Sequence, residues 1–476
     1  MDDLHDMNSI KLSPTTIVIF GITGDLARRK LLPALWNLFR TGKLPQQFHV
    51  VGFARRHFDK HALRELITKS VGAIQEQDEE KYESFLRLFS YQQGFFDEPE
   101  QYRALRALLE DIEHGFSSPA NRLLYLSVSP VHYEAVFEAL YKSGITKNNK
   151  TSGNTRVLVE KPFGRDAKTA RSLDEKLGGL FTENQIYRID HYLAKETVQN
   201  IINFRFSNFL FIPVWNKDGI DKVHIELFEK IGMEGRGVFY SETGALRDVG
   251  QNHLLQLLAM VAMRNPEKLD AEHIRARRAE VLQKLRPLEN IATESVRAVY
   301  DGFEEEAETS GDTNTETYFK LRAFLDDPTW DGVPFILESG KRMHERATRI
   351  TIYFKNVKHS LCPIDGGKGC QNTLTFEIQP EEGITVCFWA KKRGFDYKIE
   401  PRHLKFSYKH NFSERTPEAY ERVLYDAVRG DQTLFASTKE VHFAWRFITP
   451  ILEAWKTQPV EKYAPGSKGP ESRVNI

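Results

Sequence analysis

Four short segments carry residues that could do chemistry. The first is Gly21-Ile-Thr-Gly24-Asp-Leu-Ala27, directly after the β-branched run Thr15–Phe20. Glycines at a strand-to-helix turn let the backbone approach a pyrophosphate, and the helix start that follows offers N–H groups and partial positive charge. The spacing is GxxGxxA, one glycine short of the usual dinucleotide fingerprint, so turn glycines without a ligand remain an open alternative. The second segment is Ala54-Arg55-Arg56-His57, at the end of the next strand. Sites for NAD usually hold Asp or Glu there for the ribose 2′-hydroxyl, whereas an arginine would pair with the 2′-phosphate of NADP. A plain solvated basic turn would look the same. The third, Glu160-Lys161-Pro162-Phe163-Gly164, closes another strand. A lysine there could touch cofactor and substrate together, with Pro162 stiffening its approach, or the strand could simply end in a turn. The fourth is Tyr187-Arg-Ile-Asp190-His191-Tyr192-Leu-Ala-Lys195-Glu196. His191, Tyr192 and Lys195 could gather around a phosphate. On a helix, His191 and Lys195 would share one face, although a purely structural charged helix start has the same composition.

These segments need a scaffold that brings strand ends together. Thr15–Phe20, His49–Phe53, Leu123–Val128 and Arg156–Glu160 read as buried strands. The helical stretch after Gly24 contains Pro33, which predicts a kink or an early break. Gln101–Glu113 places Tyr102, Leu105, Leu109 and Ile112 on one helix face. Alternating strands and helices predict a parallel α/β sheet, a Rossmann-like dinucleotide-binding domain over residues 1–198. After about Asn200 the pattern changes. Lys222–Glu229 reads as a strand. Alternation at Ile350, Ile352 and Phe354, at Leu374, Phe376 and Ile378, and at Leu404, Phe406 and Tyr408 predicts a large, mostly antiparallel sheet with one covered face. Helices at Gln251–Met263 and Pro417–Val428 are candidates to cover it, giving a C-terminal α+β domain over residues 199–476. Loops are expected at Lys147–Asn154 and Glu304–Asn314, the second with an acidic run that reads as solvated surface.

Composition narrows the function classes. The chain has 476 residues, 41% of them hydrophobic, enough for two or three domains with a large interior. Lys plus Arg and Asp plus Glu number 66 each, so no general charge draws the chain to nucleic acid or to an anionic membrane. The N-terminus is polar and acidic, unlike a signal peptide, and no apolar run is long enough to cross a bilayer. Cys362, Cys370 and Cys387 fit no common zinc spacing and read as isolated reduced thiols of a cytoplasmic protein, and no metal cluster is visible.

GITGDLARRKLLPALWNL, VEKPFGRD, YRIDHYLAKETVQN, EGRGVFYSETGALRDVGQNHLLQ and GVPFILESGKRMHER occur in this order. Together they closely resemble the glucose-6-phosphate dehydrogenase family, from about Thr15 to Trp455, and RIDHYLAKE is far more specific than the glycine turn. The resemblance implies NADP-dependent oxidation of D-glucose 6-phosphate to 6-phospho-D-glucono-1,5-lactone. It implies His253, the histidine of RDVGQNH, as the base that takes the C1 hydroxyl proton, and Asp190 as the carboxylate that fixes its tautomer. An imidazole titrating near working pH suits that task. The residues alone would leave His253 a helix histidine with a structural hydrogen bond. By the same comparison His191, Tyr192 and Lys195 hold the sugar phosphate, and Lys161 stands beside substrate and nicotinamide. Glu229 and Asp248 bind sugar hydroxyls, Lys341 and Arg346 line the substrate pocket, and Gln379 reaches toward it. On the cofactor side the resemblance implies Gly21, Thr23, Gly24, Asp25 and Leu26 of the turn, with Lys30, Arg55, Ser129, Pro130 and Lys161.

Some residues depart from the family pattern. Ala194 stands where the family often has Gly, a small change. Animal members bind a second, structural NADP. One arginine of that site falls at Glu377, and Thr385 and Cys387 replace larger tyrosine and lysine side chains, so no structural NADP is expected here. Members form dimers or dimers of dimers, so a homodimer or homotetramer is expected, with glucose 6-phosphate as the small-molecule partner and neither nucleic acid nor membrane. Two alternatives stay open: a sugar dehydrogenase resembling glucose-fructose oxidoreductase, and a non-catalytic binding homologue on the same fold.

Overall fold

The run TTIVIF forms β1 (Thr15–Phe20) with every residue buried, the pattern of a strand covered on both faces. The computed structural model describes residues 12–147, 152–233, 240, 243–306, 315–356, 370–411 and 415–471. Around β1 it builds a parallel sheet from β2 (Phe48–Ala54), β3 (Phe89–Gln93), β4 (Ala120–Leu126), β5 (Ser152–Val159) and β6 (Ile186–Ile189). The order is β6-β5-β4-β1-β2-β3, and the short strand Phe435–Ala436 joins β6 antiparallel at the edge. Read from the other edge this is the doubly wound order, in which ligands bind where the winding reverses, between β1 and β4. Gly21, Arg55, Ser127, Glu160 and Asp190 each directly follow a strand or its last residue on the same edge of the sheet. β3 and β6 escape a reading of the sequence because FSYQQ and IYRI are short and half polar.

This sheet belongs to the first of two units, which comprises the chain to Gly164, Lys168–Ala194 and the returning segment Pro417–Thr438. The helix after the glycine turn does not break at Pro33. Ala27–Leu31 takes the wider π form directly before Pro33, and Leu32–Arg40 continues as α-helix, so a local change of helix type takes the place of a break. The Ala419–Arg429 helix, a candidate cover for the antiparallel sheet, folds into this first unit instead. Arg156 explains the change: its guanidinium donates to the carbonyls of Ala427 and Val428 at 2.8 and 3.1 Å, a cation at the helix C-terminus. Asn37 donates to Glu421 at 3.1 Å and holds the other end.

The second unit comprises Arg165–Ala167, Lys195–Thr416 and the chain from Lys439. Its strands are β7 (Ile220–Phe228), β8 (Ser295–Tyr300), β9 (Tyr318–Ala323), β10 (Phe335–Gly340), β11 (Ala347–Phe354), β12 (Thr373–Gln379), β13 (Gly383–Lys391) and β14 (Ile399–Ser407). They form a nine-stranded sheet in the order β14-β13-β12-β11-β7-β10-β9-β8, closed by the short strand Glu461–Tyr463. Only β7 with β10, and β8 with that last strand, pair in parallel. Ile350, Ile352, Leu374, Phe376 and Ile378 are fully buried, as their alternation predicts. Leu404 is 63% exposed, and Tyr408 leaves the strand for a short helix, so the third alternating set does not share a covered face. Alternation fixes which side of a strand a residue takes, not whether anything covers that side, and β14 is the sheet edge.

The expectation of three reduced thiols is corrected: Cys370 is disulfide-bonded and Cys387 is free. Cys362, parts of both expected loops and the acidic N-terminus lie outside the described residues. No described helix is long and apolar enough to cross a membrane.

A buried ion pair makes the first unit testable. Arg122 donates through Nε and Nη2 to Glu113 at 2.7 and 2.6 Å, with both side chains fully enclosed. Arg122→Met strands a buried carboxylate and should lower stability by ~3–5 kcal/mol, while Arg122→Met with Glu113→Leu should recover most of that loss. Urea unfolding of the two variants, followed by tryptophan fluorescence, checks the order.

Candidate active site

Gly21 adopts φ +80°, and a Cβ there would lie 2.3 Å from the Ser127 carbonyl oxygen. Only glycine lets β1 end this close to β4. The Gly21 N–H donates to Phe53 at 2.7 Å and the Gly24 N–H to Gly21 at 2.8 Å, which ties the turn to β2 and to itself. Above it opens a cleft of about 280 Å³ lined by Thr23, Gly24, Arg55, Arg56 and Ser129, with Phe96 and His132 beside them. Two β3 side chains hold the arginine turn. The Tyr91 hydroxyl donates to the carbonyls of Ala54, at 2.8 Å, and Arg56, and Gln93 donates to that of Arg55 at 3.0 Å. No carboxylate lines the cleft among the described residues. A backbone that makes room, a helix start and two arginines fit an anionic dinucleotide. Arg56, Phe96, His132, Tyr91 and Gln93 were not sequence candidates; only proximity to Arg55 marked the first, and β3 had no readable pattern.

The other cofactor candidates are placed differently. Lys30 is exposed and its Nζ lies 3.4 Å from Glu418. Asp25 is exposed and lies 3.4 Å from Arg29. Neither side chain lines the cleft; Asp25 and Leu26 stand in the first helical turn, where the backbone would serve a ligand, and Lys30 lies a turn further on. Pro130 opens a short helical turn directly after Ser129. A larger groove, of about 430 Å³, runs past Arg28, Arg29, Phe58 and Lys69. It touches no strand end, and Arg29 and Lys69 already pair with Asp25 and Glu65, so the smaller cleft is the better candidate.

At the end of β5 the Glu160 carboxyl accepts from the Tyr125 hydroxyl at 2.5 Å and also bonds that of Tyr420. Burial pushes this carboxyl up to about 7; the two hydroxyls and the Lys161 charge pull it down, and the Asp190 charge adds to the rise. Lys161 follows, joined to Pro162 by a cis peptide. After β6, Asp190 is 2% exposed and its Oδ1 accepts the Tyr192 N–H at 3.0 Å. Residues 190–195 form turns, not a helix, so His191 and Lys195 do not share a helical face. The Asp190 bond to Tyr192 is the reason, since it offers the backbone an alternative to the helix ladder. The His191 ring lies 4.8 Å from that of Tyr192 and stacks on Tyr420 at 6.1 Å. Tyr420 lies far downstream and nothing in the sequence pointed to it. Lys195 opens the second unit at the N-cap of the Glu196–Ser207 helix, near Glu382, whose carboxyl burial raises and Lys195 lowers.

In the second unit His253 stands on one continuous helix over residues 243–262. An α-helix was expected from Gln251. Instead Leu246–Leu254 takes the π form and Leu255–Ala262 the α form. Asp248 and His253 are five residues apart, ~140° around an α-helix but one closed turn of a π-helix, so the wider stretch brings them toward one face. Gly250 makes room for it: a Cβ there would meet Leu246 at 2.6 Å and the Phe319 ring at 2.9 Å. Both helix ends are anchored. Glu316 accepts the Leu246 N–H on its side chain at 2.9 Å and the Ala245 N–H on its carbonyl at 3.0 Å. Arg205, Trp215 and Trp330 donate to the carbonyls of Met260, Val261 and Ala262 at 3.0, 3.0 and 2.9 Å. An acid at the N-terminus and a guanidinium at the C-terminus both complement the helix dipole. Burial brings the Arg205 guanidinium down to about 9.

Glu229 and Lys341 follow β7 and β10, parallel neighbours, and their side chains meet at 2.5 Å. The Lys341 Nζ lies 5.1 Å above the Tyr240 ring. Burial pushes the Tyr240 hydroxyl well above its usual range, and the charges of Asp248, Glu316 and Glu229 add to it. Two carboxylates, a lysine and a phenol thus gather where sugar hydroxyls could be bound. Arg346 is exposed and Gln379 closes β12 opposite Thr348. His224, Glu226 and Glu338 lie close enough to share a cation. Arg349 and Lys320 already stand against those carboxylates at 2.7 and 3.5 Å, so the charge a metal would balance is balanced.

A doubly wound unit with an arginine-lined cleft at its switch point, in one chain with an antiparallel sheet that carries a cluster of carboxylates, a lysine and a phenol, fits a dinucleotide-dependent oxidoreductase. The sequence models described as "Glucose-6-phosphate dehydrogenase, NAD binding domain" and "Glucose-6-phosphate dehydrogenase, C-terminal domain" match residues 18–200 and 202–476. The chain belongs to the glucose-6-phosphate dehydrogenase family, and its cofactor is a nicotinamide dinucleotide. Glucose-6-phosphate 1-dehydrogenase of Chlamydia pneumoniae is 38% identical over 496 residues, covering 99% of this chain and 96% of that one. That of Borreliella burgdorferi is 39% identical over 482 residues, covering 99% and 98%. A solved glucose-6-phosphate dehydrogenase in complex with its substrate glucose-6-phosphate matches with a TM-score of 0.89 at 31% identity over 98% of this chain and 97% of that one. The Mycobacterium avium glucose-6-phosphate 1-dehydrogenase matches at 0.84 and 31%, over 97% and 96%.

The close approach of Gly21 to Ser127 gives the first test of the site. Gly21→Ala must move backbone atoms, and dinucleotide affinity measured by fluorescence titration should fall at least about tenfold, or ~1.4 kcal/mol. Unchanged affinity would place the dinucleotide elsewhere.

Proposed function

We propose that the chain oxidises D-glucose 6-phosphate at C1 to 6-phospho-D-glucono-1,5-lactone with NADP as acceptor, the first step of the oxidative pentose phosphate pathway. One observation carries this: a chain that matches both domains of the family has Arg55 and Arg56, and no carboxylate among the described residues, lining the cleft at the end of β2. When bound, the dinucleotide supplies the acceptor for the hydride that leaves C1. The side chains do the rest. The Gly21–Leu26 turn faces the pyrophosphate and Arg55 the 2′-phosphate. His191, Tyr192 and Lys195 hold the sugar phosphate, a role supported by the helix that begins at Glu196. Glu229 and Asp248 accept from sugar hydroxyls, and Lys341, Arg346 and Gln379 complete the pocket. His253 takes the C1 hydroxyl proton, while Asp190 fixes its tautomer and stabilises the imidazolium. Lys161 serves substrate and nicotinamide together, and holding C1 against its acceptor supplies much of the rate.

The same reading implies a cytoplasmic homodimer or homotetramer with one dinucleotide per subunit. Glu377 supports the single site. Burial raises its carboxyl, and it lies within the charge fields of Arg349, Glu226 and Glu345, so a phosphate there would meet several acids. Native mass measurement with saturating NADP should find one NADP per subunit, and two would require a second site.

NADPH formation followed by absorbance should depend on glucose 6-phosphate and not on glucose. His253→Asn should lower kcat by at least about 100-fold with little change in substrate affinity. Arg55→Ala should shift the NADP-to-NAD preference by about 10- to 100-fold toward NAD. No turnover by the unaltered chain would favour a binding homologue, and an active His253→Asn would remove His253 from the mechanism.

A further inference from the structure

The carboxyl of Glu160 is enclosed by hydroxyls, not by a guanidinium. Tyr125, fully buried on β4, donates to it at 2.5 Å. Tyr420 bonds it from the returning Ala419–Arg429 helix and stacks its ring on His191. Tyr133 donates to the Glu160 backbone carbonyl at 2.9 Å. β5 and β6 are neighbours, with Val159 opposite Arg188, so Asp190 follows on the adjacent strand. We propose that Glu160 is a positioning residue: shared between Tyr125 and Tyr420, its carboxyl holds the Lys161 turn and the His191 turn in place as a neutral acid, and releases Lys161 from the substrate when it ionises. In taking Lys161 and His191 as substrate-binding, this rests on the reading above.

The groups that face the carboxyl are Tyr125 from β4, Tyr133 from the helix after it, Lys161 on the same turn, Asp190 at the end of β6, and Tyr420, with His191 behind it. A neutral carboxyl offers one donor and acceptor capacity, enough for two hydroxyls. Ionised, it accepts from both, attracts the Lys161 ammonium and repels Asp190. Burial keeps the proton on until about 7, so the change falls in the neutral range. The sign for stability follows. The folded state holds this proton more tightly than the unfolded chain, whose value is near 4.5, so the contribution is complete below that pH and is lost as pH rises to about 7.

Glu160→Gln keeps the shape and removes the titration, and Tyr420→Phe keeps the carboxyl and removes one bond that lowers it. Calorimetric binding of glucose 6-phosphate to the whole enzyme, from pH 6 to 8.5, should show affinity falling by about 3- to 10-fold more in the unaltered chain than in Glu160→Gln. The comparison cancels the ionisation of the sugar phosphate itself. Tyr420→Phe should move the inflection to higher pH. An identical pH dependence in Glu160→Gln, or an inflection unmoved or lowered in Tyr420→Phe, overturns the proposal, and the second variant decides alone if the first does not fold. Melting temperature across pH 5 to 7, flatter in Glu160→Gln, needs no turnover or substrate. If the unaltered chain binds no glucose 6-phosphate, the functional reading fails while this arm still reports on Glu160; an unchanged melting profile overturns the inference whatever the activity.

Discussion

The contact on which the rest depends is backbone against backbone, where Gly21 meets the Ser127 carbonyl. β1 pairs with β2 on one side and β4 on the other without a register shift, and the strands end together with no room for a Cβ between the loops that follow. A parallel sheet sends every strand end to one edge. Once β1 is set, the loops after β2, β4, β5 and β6 arrive in series, bringing Arg55, Ser129, Lys161 and His191 without any of those side chains having to direct the fold. A one-residue slip of β1 would turn its side chains to the opposite face, which six buried residues forbid. The N–H groups of the glycine turn are thus set by strand packing.

The second unit reaches its geometry by a less favoured route. A nine-residue π stretch is unusual, and all eight residues of the α-helical continuation are buried. A helix apolar on every side has no preferred face to fix its rotation. Here the ends supply what the faces do not. Glu316 takes the first N–H groups, and a guanidinium and two indoles take the last carbonyls. The indole and guanidinium bonds are directional, so they set the angle about the axis as well as closing the helix. The position of His253 therefore depends on residues at the two ends of its helix.

What is legible in the sequence follows from this. Buried parallel strands are continuous apolar runs, so β1, β2, β4 and β5 stand out, while β3 and β6 are too short and polar to do so. Their absence does not hide the doubly wound class, because helix alternation carries it. The site is legible as motifs and poorly legible as geometry. The charges of His191 and Lys195 suit a helix as well as the observed turn, and only the Asp190 side chain, bonding Tyr192, decides between them. The π form of Leu246–Leu254 corresponds to no apolar period, with Gly250 its only trace. His253 reads as structural until the likeness of the surrounding RDVGQNH is considered. Tyr420 and the return of Pro417–Thr438 to the first unit are contacts between distant parts of the chain, set by Arg156 and Glu160, and no local pattern records such a pairing.

Burial alone does not decide where a carboxyl keeps its proton. Glu338, on β10, is 6% exposed and also meets a phenol, with the Tyr318 hydroxyl at 2.7 Å. Burial acts to raise it, yet its carboxyl falls below the usual range because His224 bonds it at 2.9 Å and Lys320 adds positive charge at 3.5 Å. Glu160 has two hydroxyls and the charge of Lys161 to draw it down, and Asp190 works against them. The two residues differ in the sign of their surroundings. On β10, His224 and Lys320 stand against Glu338 and outweigh its burial. At the strand ends of the first unit the arrangement is different, because hydroxyls and not cations bond the Glu160 carboxyl. A buried carboxyl met by hydroxyls is left short of countercharge. Holding its proton is then the lower-energy state up to about 7, and the neutral carboxyl can bond both hydroxyls without drawing on the charge of Lys161.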